Sequence, residues 1–416
     1  MTEVPPPSGL TPPAPEEPAQ GFVERYLSAQ RAQGLLAPLL TAVIAFVMGG
    51  LVIVISTGKA PWGVYREIFQ GAGLSWFFEV GSHEVGLPWS NAKVWFPWNV
   101  DQFESQAAAN LQQTLLITTA LILAGLAVAF AFRCGMFNIG GQGQYFAGAI
   151  LGVIVGSNLD GLHPFLHVVS AIVVGTLAGA LLGGLAGLLK ATVGAHEVIS
   201  TIMLNWTVIW IGIFLFTLTG PLQNVTSGSP ISHDVTDGAK LPILWGDPLL
   251  QGLHIGFFLA IAALVVYWLV LNRTTLGYGV RAVGFNPEAA RYGGINVPLN
   301  YFLAMAISGG FAGLAGAIDI LGWQFRISTG DIQTNAIGFV GIAVALLGRN
   351  TAIGVGLGAL LFGSLLTGTS TRNLDPEIFQ PELAFNLTLL IQGLIVLFVG
   401  ADVLVLWLLG RFRRRR

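Results

Sequence analysis

Three amide side chains lie close together in a stretch that is otherwise apolar and rich in glycine. Asn138, Gln142 and Gln144 all belong to the run NIGGQGQ. An amide without a partner is costly in hydrocarbon, so each of these groups must face protein or a polar cavity. Neutral amides hydrogen-bond to uncharged polar molecules and do no acid–base chemistry. They would either line a path for a small polar solute or cap and pack a broken or late-starting helix.

Two further asparagines interrupt apolar segments. Asn205 occurs in the run TIMLNW, where it would either line the same path or hydrogen-bond to a neighbouring helix. Asn335 begins the run NAIGFVG, whose place in the second half of the chain matches that of NIGGQGQ in the first. The predicted substrate pathway is formed by Asn138, Gln142, Gln144, Asn205 and Asn335.

The sequence contains none of the residue combinations that carry out catalysis or hold a metal. It lacks a G-x-x-x-x-G-K-[ST] motif, so we do not expect it to hydrolyse ATP. Asp319 stands alone near the outer end of an apolar stretch, without a second carboxylate or a histidine chain for a proton relay. Cys134 is the single cysteine, which excludes an internal disulfide or a multi-cysteine metal site. We therefore predict no catalytic residue, no metal and no cofactor.

The composition places these residues in a membrane. Hydrophobic residues make up 54% of the chain and charged residues 10%, whereas soluble domains contain roughly 25% charged residues. The mean hydropathy is +0.72. A net charge of −2 gives no reason to expect nucleic-acid binding. The chain is expected to be an all-α polytopic membrane protein.

About ten apolar stretches could cross a bilayer as helices. They are residues 35–56, 111–132, 137–158, 165–189, 198–219, 254–271, 301–321, 335–347, 351–371 and 384–400. Basic residues favour the cytoplasmic side of a membrane. With both termini in the cytoplasm, the only Lys and Arg residues left outside are Lys59, Arg66, Lys93, Lys240, Arg326 and Arg372. The four spans from residue 111 and the four from residue 301 then run with opposite polarity, which predicts an inverted repeat.

The segments that flank and join these spans differ in character. Residues 1–34 are proline-rich and are predicted to form a disordered cytoplasmic tail, and residues 411–416 to form a basic tail on anionic lipid. The transmembrane domain is residues 35–410, with outer loops at 59–110 and 220–252. The dense aromatic residues of the first loop suit a belt at the level of the lipid headgroups or a surface that stacks on sugars or bases.

Two patterns indicate packing. Residues 61–71 are expected to form a short amphipathic helix at the start of the first outer loop. Glycines recur at every fourth position from residue 175, which places them on one face of a helix and permits close contact with a neighbour. They are Gly175, Gly179, Gly183 and Gly187.

The polar loop 272–300 carries a helix signature of its own. Asn286 suits the N-cap, Pro287 suits the first turn because its missing N–H is not needed there, and Glu288 faces the positive helix end. The glycine pair that follows ends the helix after about two turns, so it must lean on another surface. The alternative is an ordinary capped surface loop. The residues that we expect to contact a partner are Arg281, Asn286, Pro287, Glu288, Ala289, Ala290 and Arg291.

Four runs of the sequence resemble one family of transport proteins. They are FRCGMFNIGGQGQYFAGA, HEVISTIMLNW, LGYGVRAVGFNPEAARYGGINV and IAVALLGRN, and the likeness extends over residues 111–400. Together they resemble the permeases of ABC importers for branched-chain amino acids, ribose-like sugars and nucleosides, in particular the nucleoside and simple-sugar branch.

The resemblance implies a type II ABC-importer-like permease in a prokaryotic cell membrane. It implies that the short helix at Asn286 docks into a groove of a cytoplasmic ABC ATPase. The other implied partners are a second permease, homologous or identical, and an extracytoplasmic substrate-binding protein. The implied solute is a nucleoside or a related simple sugar. The alternatives are another small polar solute of the same family or an ion-coupled secondary transporter.

Overall fold

The structure of the chain is a computed structural model that describes most of its length. The described residues are 43–55, 60–86, 93–101, 104–159, 161–246 and 252–370, with a few positions between 386 and 397. The predicted tails 1–34 and 411–416 lie outside the described residues, as do the first part of the span 35–56 and most of the span 384–400.

The described chain folds mainly into helices. The helices are α1 (Val43–Ile55), α2 (Pro61–Gly71), α3 (Gln106–Arg133), α4 (Gly141–Asn158), α5 (Pro164–Val193), α6 (Glu197–Phe216), α7 (Gly256–Arg273), α8 (Thr275–Phe285), α9 (Pro287–Tyr292), α10 (Val297–Asp319), α11 (Thr329–Thr334), α12 (Ile337–Leu347) and α13 (Ala352–Gly368). A π-helical turn, Ile320–Gln324, extends α10. Two short antiparallel hairpins pair β1 (Val80–Gly86) with β2 (Lys93–Trp98), and β3 (Ile243–Trp245) with β4 (Leu253–His254).

Six of the described helical segments are long and apolar enough to cross a membrane. They are α3, α5, α6, α7, α10 with its π-helical turn, and α11 with α12; α1 and α13 are apolar but shorter. The face of α5 that points away from the other helices is apolar, with Leu177 54% and Leu181 75% exposed, as expected for a helix in lipid. The prediction of a mainly helical, polytopic membrane protein is confirmed for this part of the chain, which also contains the two short hairpins that an all-α fold would lack.

Several boundaries follow from local capping. The amphipathic helix at 61–71 is present as α2, and α4 begins at Gly141, which confirms the late-starting helix. Helix α3 begins at Gln106, within the segment 59–110 that was predicted to be a loop. Ser105 caps this helix by accepting from Ala108 N at 3.2 Å. The hydroxyl side chain thus starts α3 before the apolar run begins.

Two other predictions need correction. The loop 272–300 contains a second helix, α8, that we did not predict; Thr274 caps it by accepting from Gly277 N at 3.1 Å. The predicted span 335–347 is itself present as α12, which begins at Ile337, but it is preceded by a short helix that was not expected, α11, which ends before Asn335. Serine 328 starts α11 through a capping box with Asp331.

The glycine stripe of α5 packs on α10, as predicted. A Cβ atom added at Gly179 would clash with backbone atoms of Gly309 and Gly313, and one at Gly183 would lie 3.0 Å from Gly309 Cα. The glycines of α5 therefore face glycines of α10, and the two backbones touch along several turns. Such contact depends on the absence of side chains on both helices.

One end of the helices carries the two hairpins and is called the hairpin end. Its aromatic residues form a small core around Trp76, which is 7% exposed and stacks on Trp98 at a centroid distance of 5.4 Å. Trp245 packs on the same ring and donates its Nε1–H to Val100 O at 2.8 Å. These rings mainly contact one another. Trp95 is 61% and Phe78 is 78% exposed, so these two rings can still meet lipid headgroups or a stacking partner.

The opposite end carries α8 and α9 and is called the α9 end. Arg133, at the end of α3, donates to Asn350 O from Nε at 3.0 Å and from Nη2 at 2.7 Å. Tyr267 donates to the same carbonyl at 2.7 Å. Lys190 pairs with Glu197 at 2.9 Å. Arg133 and Lys190, which were both predicted to face the cytoplasm, thus lie at the same end of the helices.

Candidate functional site

A reciprocal pair of amides closes the non-helical turn before α4. Asn138 is fully buried; its Nδ2 donates to Gln144 Oε1 and to Ser308 Oγ, each at 2.7 Å. Its Oδ1 accepts from Gln144 Nε2 at 3.1 Å and from Gly140 N at 2.8 Å. The amide group of Asn138 therefore makes all four of its hydrogen bonds inside the protein. In this conformation it closes the turn that precedes α4 and joins that turn to Ser308 of α10.

Gln142 joins α4 to the break between α11 and α12. Its Nε2 donates to Asn335 O at 2.5 Å, and its Oε1 accepts from Gly338 N at 2.8 Å. A break between helices leaves backbone donors and acceptors without intrahelical partners. Gln142, which is 1% exposed, satisfies one of each with a single side chain.

Asn205 connects α6 to the same turn. Its Nδ2 donates to Ile139 O at 2.8 Å, and its Oδ1 accepts from Gly143 N at 2.7 Å. It is 2% exposed. Of its two anticipated roles, the bond across helices is the one present in this conformation. The first four predicted pathway residues thus form one buried polar network around the start of α4.

Asn335 lies where this network reaches the surface, because it alone among the five predicted pathway residues is partly exposed. Its Oδ1 accepts from Ile337 N at 2.9 Å. This repeats the geometry at Asn138, whose Oδ1 also accepts from the backbone N–H two residues ahead. Each asparagine thus closes a turn just before a helix, α4 or α12, and Gln142 of α4 bonds to the backbone on both sides of the second turn.

Sequence reasoning missed two members of the network, Ser308 and Tyr145, and did not connect Asp319 to it. Asp319 is the last residue of α10 and is 3% exposed. Its carboxylate accepts hydrogen bonds from Tyr145 OH, from Trp323 Nε1 and, at 3.1 Å, from Gln324 Nε2. The two donors four and five residues after Asp319 were a signal in the sequence. Tyr145 lies in another helix, and only folding brings it there.

The helix predicted at Asn286 is present as α9. Asn286 Oδ1 accepts from Glu288 N at 3.0 Å and from Ala289 N at 3.1 Å, and Pro287 occupies the first turn. Arg291 lies 4.0 Å from Glu288, with both side chains largely exposed, so their pairing contributes little to stability. Ala290 is the buried residue of the helix. The cap therefore holds α9 with most of its surface free.

Two aromatic side chains flank α9 and point away from the protein. Phe285, just before the N-cap, is 91% exposed, and Tyr292, the last residue of α9, is 93% exposed. Arg281, one turn before Phe285 in α8, donates from Nε to Gly277 O at 3.3 Å and is partly exposed. Exposed aromatics and arginines are enriched where proteins bind other proteins. The sequence patterns did not single out the two aromatics.

The α8 helix contacts the turn that leads to Asn138. A Cβ atom at Gly284 would lie 3.1 Å from Cys134 C and would clash with Arg133 O. Gly135 has a φ of 73° and lies against the Gly284 backbone. The close approach needs glycine on both sides. The segment that carries α9 thus touches the segment that carries the amide network.

The sequence that forms this arrangement matches a known protein family. The family described as "Branched-chain amino acid transport system / permease component" matches residues 110–400. The chain belongs to this permease family. The match covers the polar network and both helices of the loop 272–300, and it confirms the resemblance seen in the four sequence runs.

Relatives of this permease are named for their transporters. The guanosine ABC transporter permease protein NupP of Bacillus subtilis is 33% identical over 93% of this chain and 99% of its own length. The nucleoside ABC transporter permease protein NupB of Lactococcus lactis is 30% identical over 84% of this chain and 88% of its own. The glucose ABC transporter permease protein TsgB13 of Haloferax volcanii is 34% identical over 70% and 75%.

Each of the three organisms has a second matching permease protein. These second proteins are 29 to 31% identical over 60 to 63% of this chain. This permease is a multi-pass protein of the cell membrane, like the family to which it belongs. Its relatives are named as permease proteins of ABC transporters.

Proposed function

We propose that this permease carries nucleosides through the membrane as part of an ABC importer. The observation that carries the proposal is the similarity to NupP, which extends over 93% of this chain and 99% of the relative. The similarity to NupB, over 84% of this chain, supports the same solute class. A related simple sugar is the second candidate, because TsgB13 is 34% identical over 70% of the chain.

The chemistry of the polar network suits an uncharged solute. The proposed pathway residues Asn138, Gln142, Gln144, Asn205 and Asn335 carry neutral amides. Asn335 is the member nearest the surface and would meet solute first, whereas the four buried amides shape the start of α4 and the break before α12. Nucleosides carry hydroxyls and ring nitrogens that amides can recognise without any charge.

The proposed contact with the ATPase is the exposed side of α8 and α9. It comprises Arg281, Asn286, Pro287, Glu288, Ala289, Ala290 and Arg291, flanked by Phe285 and Tyr292. Ala290 is buried and would act by holding α9 on the permease. The contact of Gly284 with the turn before Asn138 supports this role, because a push on α9 reaches the polar network through packed backbone.

The proposed complex has four kinds of component besides lipid. A cytoplasmic ATPase hydrolyses ATP, and an extracytoplasmic substrate-binding protein delivers solute. This permease and a second permease form the membrane pathway. The occurrence of two matching permeases in each of three organisms supports a homologous second subunit over an identical one.

The proposed arrangement in the membrane has ten spans, both termini in the cytoplasm and an inverted repeat. The matching local geometry of Asn138 and Asn335, each before a late-starting helix, supports the repeat. The position of Arg133 and Lys190 at the α9 end supports the orientation. Residues 220–252 then face outside, and residues 272–300 face the cytoplasm.

Cysteine labelling tests this orientation. Ser229 and Asn286 are both exposed, and the single native cysteine, Cys134, is buried and should not react. In intact cells, a membrane-impermeant maleimide should label Ser229→Cys and should label Asn286→Cys only after the membrane is opened. Equal labelling of both variants in intact cells would contradict the ten-span arrangement.

An uptake assay tests the solute. The complete complex, with its ATPase, second permease and binding protein, is reconstituted in liposomes and supplied with labelled guanosine, ribose, glucose or leucine. We expect ATP-dependent uptake of guanosine at least tenfold above that of the other solutes. Preferred uptake of glucose or ribose would replace the nucleoside by the simple-sugar alternative, and uptake driven by an ion gradient without ATP would overturn the ABC importer.

A further inference from the structure

The Asp319 carboxylate is a buried acid that the proposed pathway does not yet use. It lies in α10 with its oxygens facing three donors: the Tyr145 hydroxyl, the Trp323 indole and the Gln324 amide. All three groups are neutral, and within the described residues no cation pairs with this carboxylate. A carboxylate without a counter-ion persists in a protein interior only where hydrogen bonds satisfy its oxygens.

Two elements of irregular backbone meet at this acid. Trp323 and Gln324 belong to the π-helical turn Ile320–Gln324, which ends at Phe325 with a φ of 56°. Tyr145, from α4, provides the third donor and also accepts from Asn335 Nδ2 at 3.3 Å. Single π-helical turns within α-helices are frequent at functional sites. The acid therefore joins the irregular end of α10 to the break between α11 and α12.

The direction of the hydrogen bonds follows from the chemistry of the acid. The Tyr145 hydroxyl donates to Asp319, so the phenolic oxygen is left to accept. The amide of Asn335 consequently presents its NH₂ group to Tyr145 and its oxygen to Ile337 N, 2.9 Å away. The Ile337 N–H and the Tyr145 oxygen together hold the Asn335 amide in one orientation, and Asp319 contributes to it by holding the Tyr145 hydroxyl.

We propose that Asp319 is a positioning residue for solute translocation, acting through the Tyr145 hydroxyl to orient the Asn335 amide at the break between α11 and α12. This role rests on the proposed function, in which Asn335 meets the solute. Asp319 itself touches no solute. Its contribution is to hold the amide of Asn335 in a single orientation before solute arrives. The entropy cost of ordering this amide during passage is then lower.

A matched pair of variants separates this role from simple support of a buried acid. Tyr145→Phe and Gln324→Met each remove one donor from the same oxygen, Oδ2 of Asp319, with little change in volume. Tyr145→Phe alone also cuts the connection to Asn335. The readout is the number of solute molecules imported per ATP hydrolysed by the reconstituted complete complex, which does not depend on the amount of folded protein.

We expect Tyr145→Phe to lower the ratio of solute imported to ATP hydrolysed about tenfold, which corresponds to about 1.4 kcal/mol in the barrier to solute passage. Gln324→Met should change this ratio less than twofold. Asn335→Asp is a second cut of the same connection, because it keeps the acceptor for Ile337 N and loses the donor to Tyr145. It should show a loss like that of Tyr145→Phe. The double variant Tyr145→Phe/Asn335→Asp should lower the ratio no further than the worse of the two single variants, because both changes break the same chain of hydrogen bonds.

Other outcomes overturn the role. If Tyr145→Phe and Gln324→Met lower the transport ratio equally, Tyr145 acts only as a hydrogen-bond donor to Asp319 and not through Asn335. If the losses multiply in the double variant, Tyr145 and Asn335 act independently. If Tyr145→Phe does not assemble, Asp319→Asn, which keeps the side-chain size but replaces the carboxylate that faces Tyr145, is compared with Gln324→Met instead, and equal ratios in these two variants overturn the role. The comparison uses whichever solute the wild-type complex imports, so a failure of the nucleoside assignment appears in the wild type and is distinct from a failure of positioning.

Discussion

Ala289→Pro is expected to insert into the membrane at the wild-type level but to lose solute-stimulated ATP hydrolysis in the complete complex. Ala289 is the third residue of α9, and its N–H donates to the cap oxygen of Asn286 at 3.1 Å. Proline removes this donor and pushes Glu288 out of the helical conformation, at a cost of about 1–3 kcal/mol. A helix of six residues has no further turns to compensate for such a loss.

The expected loss follows from the position of α9 rather than from the stability of the whole permease. Ala289 is exposed, so the packing among the long helices should be unaffected. The variant should also co-purify poorly with its ATPase. Ala289→Ser is the matched control, because serine keeps the N–H and the helical backbone, and it should retain at least half of the stimulated hydrolysis.

A charge change probes the same surface more gently. Arg291→Glu removes a cation from the last turn of α9 and leaves Glu288 beside a like charge. Any loss of ATPase binding in this variant should diminish as salt rises, because both charges are exposed.

Full stimulated hydrolysis and normal co-purification in Ala289→Pro would show that α9 is only a connector.

Gly309→Ala is expected to prevent most of the permease from folding, whereas Gly310→Ala, one residue further, should be tolerated. A Cβ atom at Gly309 would lie 3.0 Å from Gly179 C and from Gly183 Cα and would clash with Gly179 O. These are backbone atoms of α5, which cannot move without separating the two helices. Overfilling a packed interior in this way typically costs about 1–3 kcal/mol, and more where backbone must shift.

The neighbouring position provides the control. A Cβ atom at Gly310 would lie 3.7 Å from Ala180 Cβ and 3.8 Å from Thr176 Cγ2, which is ordinary contact. Both glycines lie in the middle of α10, and alanine has the higher helix propensity at each by about 1 kcal/mol. The yield of purified permease and its melting temperature are measured for both variants. Equal melting temperatures would show that α5 and α10 do not touch through their glycines in the membrane.

Much of the fold followed from sequence because hydrophobic length and capping act locally. The long apolar runs gave most of the helices, and Asn286 with Pro287 defined α9 to the residue. The helix α8 was missed because its segment is rich in glycine and lacks a long apolar run. Its cap at Thr274 was the available signal. The helix α11 was missed because its run, TGDIQT, is short and polar.

The predicted pathway residues were found one by one through the cost of polar groups in hydrocarbon, but their partners were not. Amides in apolar runs had to be satisfied, which left pathway lining open beside helix capping and packing, or, for Asn205, beside a bond across helices. The structure adds that four of the five amides are buried and paired inside the protein. Asn335 is the member near the surface. Partners such as Ser308 and Gly338 are distant in sequence and could not be assigned to these amides.

The sequence by itself determined that this chain is a helical membrane protein, that it has a capped short helix in a polar loop, and that neutral amides interrupt its apolar runs. Those properties depend on composition and on neighbours within one or two turns. The tertiary structure alone decided that Asp319 is a buried acceptor for Tyr145 and that Gln142 closes the break at Asn335. It also placed Gly284 on the turn before Asn138. Such contacts join residues far apart in the chain, and the packing of α3, α4, α10 and α12 around shared glycines is what brings them within bonding distance.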